Sequence, residues 1–351
     1  MNRHAVLLAL LSAALFGVST PAAKALLGSI DPAVLAGLLY CGAGIGVAVL
    51  RRAARSLTAS PAAAETPLSR ADLPWLAAAI VAGGIAGPLL LMFGLARTDA
   101  ASASLLLTLE GVATALLAWF VFHESFDRRI AIGMASLVAG AAVLAWSGQP
   151  SAASLLGPAA IVGACIAWGL DNNLTRKVSL ADPLQIVELK GLVAGPVNLV
   201  IGLWAGGSLP SPTPMALAGL VGFAGYGVSL ALFVHALRHL GTARTGAYFS
   251  TAPFLGALAS VVMLGESVTG QLIVAGLLMA FGVWLHLTEQ HAHAHEHLPA
   301  EHAHAHVHDE HHAHRHGDSD PPGEPHTHPH SHGRLAHSHA HMPDMHHTHR
   351  H

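Results

Sequence analysis

The chain has 351 residues, of which 52% are hydrophobic and only 11% charged, with a net charge of −3 when histidine is neutral. A soluble domain carries about 25% charged residues, so this balance excludes an ordinary water-soluble fold and fits a protein solvated by lipid. No basic surplus points to nucleic acid as a partner, and the two cysteines, Cys41 and Cys165, sit inside apolar stretches without metal-type spacing.

A membrane-spanning helix needs about 20 mainly apolar residues. That measure predicts ten spans in chain order, over 5–27, 32–50, 72–96, 99–121, 128–147, 154–174, 183–205, 213–237, 243–264 and 268–288. Lipid offers no partner to open backbone groups, and alternating strand-length segments are absent from this part, so the fold class is all-α. The first segment has some marks of a signal peptide: Arg3 precedes an apolar run, and small residues follow. Its correspondence with the sixth span, given below, favours its retention. With the N-terminus inside, Arg3, Arg51, Arg52, Arg55, Arg70, Arg128, Arg129, Arg176, Lys177, Arg238 and Arg244 fall on the cytoplasmic side, and Arg97 alone opposes them. The expectation is a multi-pass protein of the cytoplasmic (inner) membrane with both termini in the cytoplasm.

The spans are duplicated. Leu95, Ala101, Ala115, Leu116, Glu124, Ser125 and Gly140 recur 142 residues later as Leu237, Ala243, Ala257, Leu258, Glu266, Ser267 and Gly282. Phe16-Gly17 recurs as Trp168-Gly169 at an offset of 152, with Lys24 matching Arg176. The longer polar loop after the second span, Arg51–Ala71 against Gly206–Pro214, accounts for the difference. Two repeats follow, 5–147 and 154–288, and a tail over 289–351. Five spans is an odd number, so the halves enter the membrane in opposite orientations, the arrangement of many secondary transporters.

Ten spans in two halves, the aromatic-Gly pairs Phe16-Gly17 and Trp168-Gly169, and the motifs His123-Glu124-Ser125 and Gly265-Glu266-Ser267 resemble the EamA-type drug/metabolite transporter superfamily. The resemblance covers residues 5–288. It implies a permease of the cytoplasmic membrane without an ATPase, and it leaves the substrate open among amino acids, sugars, nucleotide derivatives and drugs. One departure stands out. Relatives place proline in the fourth and ninth spans; Pro253 supplies it in the ninth, but the matching residue in the fourth is Gly111, preceded by Glu110.

Ionisable groups inside hydrocarbon cost about 2.5–3.5 kcal/mol at the centre by insertion scales, so those in the spans are the functional candidates. Glu110 is the deepest, as a proton acceptor or ligand for a cationic group, or else a structural carboxyl bonded to a neighbouring helix. Asp171, Asn172 and Asn173 follow Trp168-Gly169 and correspond to Ser19, Thr20 and Pro21 of the first span, either as a binding cluster or as helix-ending groups near the surface. Lys190 stands a third of the way into the seventh span, free to meet Asp171 or Glu110, to hold a substrate carboxylate, or to reach for the interface. Asn198 shares its face, Glu188 does not, and His235 lies near a span end. Glu124 and Glu266 are read as structural, capping the following helix or pairing with a nearby base.

The last 63 residues hold 23 of the 28 histidines. The metal-ligand candidates are His291, His293, His295, His297, His302, His304, His306, His308, His311, His312, His314, His316, His326, His328, His330 and His332. Imidazole suits Ni²⁺, Zn²⁺, Co²⁺ and Cu²⁺, and the low hydrophobicity with abundant proline predicts a disordered tail that gathers such ions. No hydrolase, zinc-protease or P-loop motif is present, which argues against an enzyme. The reading is a secondary transporter of a small metabolite or drug-like solute, requiring no cofactor, with protons as a candidate coupling ion, a homodimer left open, and a metal-binding tail for regulation or buffering. The rival readings are a Ni/Co/Zn or metal-chelate transporter and a membrane metal sensor or store. The spans lack the paired intramembrane His and Asp expected of metal permeation.

Overall fold

The structure, a computed structural model, describes residues 3–57, 68–122, 128–146, 152–178, 181–240 and 242–288. Within the tail it describes Ala292–His297, Ala300–His306, His326–His332 and Leu335–Ala340. The membrane part is all helix. Among the described residues nine helical stretches are long and apolar enough to cross a bilayer, and the remaining span comes in two pieces. In order they are Arg3–Leu26, Pro32–Leu57, Arg70–Leu95, Ala100–Phe122, Arg128–Ala145, Ala152–Arg176, Pro183–Trp204, Pro212–Leu240, the pair Thr242–Phe249 and Ala252–Leu264, and Gly270–Leu287.

Helix starts follow local chemistry. Asp99 caps the fourth span by accepting from Ser102 N at 2.7 Å, and Asp182 caps the seventh through Leu184 N and Gln185 N ahead of Pro183. Thr269 caps the tenth through Leu272 N at 3.1 Å. The ninth ends on Gly265, whose φ of +68° suits the left-handed stop that glycine makes without a Cβ clash.

The two halves carry the same irregularities. The third and eighth spans each widen into a π-helical segment, Ile80–Ala86 and Phe223–Val228, 143 residues apart. The fourth and ninth spans are each interrupted, after Leu106 and after Phe249. At both breaks a threonine hydroxyl turns back on the carbonyl three residues earlier, Thr108 Oγ1 to Leu105 O at 2.8 Å and Thr251 Oγ1 to Tyr248 O at 2.6 Å. The side chain thereby competes with the helical ladder. The fourth span therefore breaks without the proline that the ninth has, which resolves the departure at Gly111.

Packing repeats as well. The second span lies along the seventh and the fifth along the tenth, while the first crosses the eighth and ninth as the sixth crosses the third and fourth. Lipid gives helices no hydrophobic drive to associate, so small residues set the approach. A Cβ on Gly17 would stand 2.4 Å from Ala252 O, and one on Gly169 would stand 2.8 Å from Thr114 N. The two aromatic-Gly pairs of the sequence are thus the two points where a first-type span crosses the broken span of the opposite half.

Within the tail four short segments are extended. Ala292–His297 pairs antiparallel with Leu335–Ala340, and Ala300–His306 with His326–His332. The period-two His-x-His alternation is compatible with extended strands, and the register sets His302, His304 and His306 opposite His330, His328 and His326.

Candidate functional site

The sixth span carries the polar centre. Its residue Asp171, buried at 9% exposure, accepts from Lys190 Nζ of the seventh span at 2.5 Å and from Thr175 Oγ1 at 2.9 Å. Lys190 also donates to Thr175 Oγ1 at 2.9 Å. Lys190 lies eight residues beyond its helix cap, about 12 Å along the axis at 1.5 Å per residue. The pair therefore lies well inside the membrane, where separate charges are costly and paired ones survive. Room for the carboxylate comes from the π segment of the third span. A Cβ on Gly83 would fall 2.0 Å from Asp171 Oδ2.

That segment is braced from three helices. Tyr40 OH and Trp168 Nε1 both donate to Gly83 O, at 2.8 and 2.9 Å, and Asn198 Nδ2 donates to Gly84 O at 2.9 Å. These donors meet carbonyls whose ordinary helical partners the wider turn displaces. Trp168 of the repeat motif and Asn198 of the predicted polar stripe are accordingly supports of the third span. Asn173 is a support too, donating to Gly169 O and Thr114 O at 2.8 and 3.1 Å.

Glu110 begins the second piece of the broken fourth span and accepts from Asn172 Nδ2 at 2.9 Å. Asn172 also donates to Thr114 Oγ1 at 3.1 Å. Beside this group opens a cavity of about 410 Å³. Asn172 and Lys190 line it from one side, and from the other Phe16 and the residues Gly225, Tyr226 and Ser229 of the eighth span's π segment and its end. Tyr40, Phe233 and Phe249 complete an aromatic wall. Its rings touch in sequence, with centroids 5.8 Å apart for Tyr40–Tyr226 and Phe16–Tyr226, 5.4 Å for Phe16–Phe249 and 5.0 Å for Phe233–Phe249. The first π segment thus seats a carboxylate, and the second forms a wall of the cavity.

The remaining predicted residues fall elsewhere. Ser19 Oγ bonds Phe16 O at 2.6 Å within its own helix, and Thr20 is buried. Glu188, two residues from Lys190, pairs with Arg51 of the second span, which also holds Asp182 at 2.6 Å. Glu266 accepts from Ala100 N and Ala101 N, each at 2.7 Å. It therefore caps the fourth span of the opposite half, not the helix that follows it, because Thr269 already caps the tenth. Pro253 opens the second piece of the ninth span, and His235 is exposed. Glu124 lies outside the described residues, as do His291, His308, His311, His312, His314 and His316. Among the described side chains no group of three or more His, Cys, Asp or Glu stands at metal-ligating distance. Of the aromatic wall, sequence reasoning singled out Phe16 alone, as a repeat motif; it missed Tyr40, Tyr226, Phe233 and Phe249, whose local signals are slight, such as the glycine-rich run around Tyr226 and the break beside Phe249.

Comparison with known proteins agrees with this architecture. The sequence profile of the EamA-like transporter family matches residues 3–146 and 155–288, one copy on each half. The chain is 27% identical over 281 residues to a protein of Methanothermobacter thermautotrophicus named as an uncharacterized transporter, covering 77% of this chain and 82% of that one. A solved crystal structure superposes with a TM-score of 0.58 at 18% identity, over 81% of this chain and 95% of the other, which is a likeness of fold.

Proposed function

Because the chain belongs to the EamA-like transporter family, we propose that it is a secondary transporter that moves a small solute by alternating access and leaves it chemically unchanged. Its setting is the cytoplasmic membrane, with both termini on the cytoplasmic side, as the distribution of Arg and Lys directs. The observation that carries this reading is the cavity itself. It lies between the halves, bounded by the π segment of one span, the end of a broken span at Phe249 and the polar end of the sixth. Interrupted helices at corresponding places of two inverted repeats are where such proteins hold their solute, because freed backbone groups and small residues let a packed bundle open on one side at a time.

Lys190, Asn172 and the aromatic rings are the solute contacts in this reading, while Glu110, bonded to Asn172, is the group placed to carry a coupling proton. A single cysteine at Asn172, in a chain with Cys41 and Cys165 replaced, tests the mechanism. In oriented vesicles it is expected to react with an impermeant maleimide from either face, in proportions that change with solute. Labelling from one face alone under every condition refutes alternating access. A growth and uptake screen of a deletion strain against amino acids, drugs and metals then identifies the solute.

A second reading concerns the tail. The register of its strands sets histidine opposite histidine at five positions, which supports binding of Ni²⁺, Zn²⁺, Co²⁺ or Cu²⁺ there for buffering or regulation. Retention of the untagged chain on immobilised Ni²⁺, lost on removal of 289–351, is the expected result. Metal tolerance that falls with the tail while solute flux persists separates regulation from metal as cargo.

A further inference from the structure

The same cavity indicates a class of solute, an inference that rests on the transporter reading above. We propose that it takes an amphipathic organic monoanion, whose acid group binds Lys190 and whose apolar body lies against the aromatic wall, and that Asp171 occupies the ammonium between transport events. Among the described residues that line the cavity, Lys190 is the one charged residue and none is a carboxylate. Its ammonium has three donors; Asp171 Oδ1 and Thr175 Oγ1 take two, which leaves one for a ligand.

The rest of the lining is apolar or weakly polar, dominated by Phe16, Tyr40, Tyr226, Phe233 and Phe249. Such a wall accepts a ring or chain, and an aromatic cage of this kind also suits cations in general. Here the ammonium at its edge repels them. A dianion finds one cation among the described lining residues and would leave charge uncompensated in a low-dielectric site. A cavity of about 410 Å³ lies within the usual range for a small organic ligand.

Asp171 gives the site its reversibility. It reaches Lys190 from the side of the third span, in the groove left by Gly83, and so holds the ammonium without filling the cavity. An arriving carboxylate takes the remaining donor and competes with Asp171 for the same positive charge. Asp171 then remains bonded to Thr175. Asp171→Asn removes this internal rival for the ammonium and should tighten binding of an anion.

The test is equilibrium binding of radiolabelled indole-3-acetate to the purified full chain, with indole-3-acetamide and tryptamine as neutral and cationic analogues of the same body. Indole-3-acetate is expected to bind saturably, with both analogues weaker by about tenfold or more, as loss of a charge-assisted bond implies. Lys190→Met should lose that margin, and Lys190→Arg should keep most of it. Lys190→Met combined with Asp171→Asn leaves no orphaned carboxylate and guards against a folding defect; it should lose the margin as well. Asp171→Asn alone should bind more tightly than the native chain. Tryptamine binding as well as the acid, an unchanged affinity in the double variant, or no binding of any analogue to folded protein each overturns the assignment. Flux measured in proteoliposomes separates the two readings. Lys190-dependent binding without flux upholds the anion site and refutes transport, whereas flux of uncharged or cationic solutes without acid binding upholds transport and refutes the anion site.

Discussion

Replacing Glu266 by alanine removes a contact that joins the two halves away from the cavity. The carboxylate accepts from Ala100 N and Ala101 N, both at 2.7 Å, and these are the first two amides of the fourth span, with no helical acceptor of their own. Hydrogen bonds to charged groups are worth about 1.5–3 kcal/mol each, and a charge at a helix N-terminus adds about 0.3–1 kcal/mol. Glu266 is only partly buried and its two bonds share one carboxylate, so the lower end applies and the loss is about 2–4 kcal/mol. Glu266→Gln keeps one acceptor and should fall between. Neither cysteine is in a disulfide, and Cys165 is buried while Cys41 is partly so, so a thiol-reactive dye reports melting of the detergent-solubilised protein through Cys165. The expected result is a melting temperature lower by several degrees in the alanine variant and by less in the glutamine variant. An alanine variant that melts with the native chain would show that the amides find other acceptors and that this cap carries no stability.

Gly17→Ala and Gly169→Ala should each destabilise the bundle by about 1–3 kcal/mol, because the added Cβ meets backbone and not a movable side chain; the same dye assay reads the loss. Glu110→Gln retains an acceptor for Asn172 and should leave melting unchanged while reducing flux driven by a proton gradient; a flux equal to the native value removes Glu110 from coupling. Deletion of 289–351 should abolish retention on immobilised Ni²⁺ and leave solute flux intact, and flux lost along with retention would tie the tail to transport itself.

The duplicated bundle was legible because span length and repeat offset are properties of composition and spacing. Nine of the ten spans keep the expected continuity or break only locally. The pairing of Lys190 with Asp171 was among the partners that sequence allowed, since few charges exist in the spans and each must find another. What sequence did not disclose is geometry that depends on a neighbour. Asn198 looks like a continuation of a polar stripe, yet its amide is committed to Gly84 O because a π segment on another helix frees that carbonyl. Glu188 has the same charge and nearly the same depth as Asp171, but it faces Arg51 at the helix end. The break in the fourth span was hidden because proline was the signal sought, whereas a threonine hydroxyl does the work at both positions.

The unequal use of the two π segments has a consequence for the transport cycle. A duplicated protein with identical halves would have inward- and outward-open forms of equal energy, each the image of the other. Here one half uses its irregular turn to seat a buried ion pair, with three side chains holding that turn in shape, and the other lines the cavity with its turn. Under the alternating access proposed above, opening toward one face is expected to disturb the ion pair and its supports more than opening toward the other. A cycle of that kind would have a preferred resting orientation set by the sequence, against which solute binding would have to work.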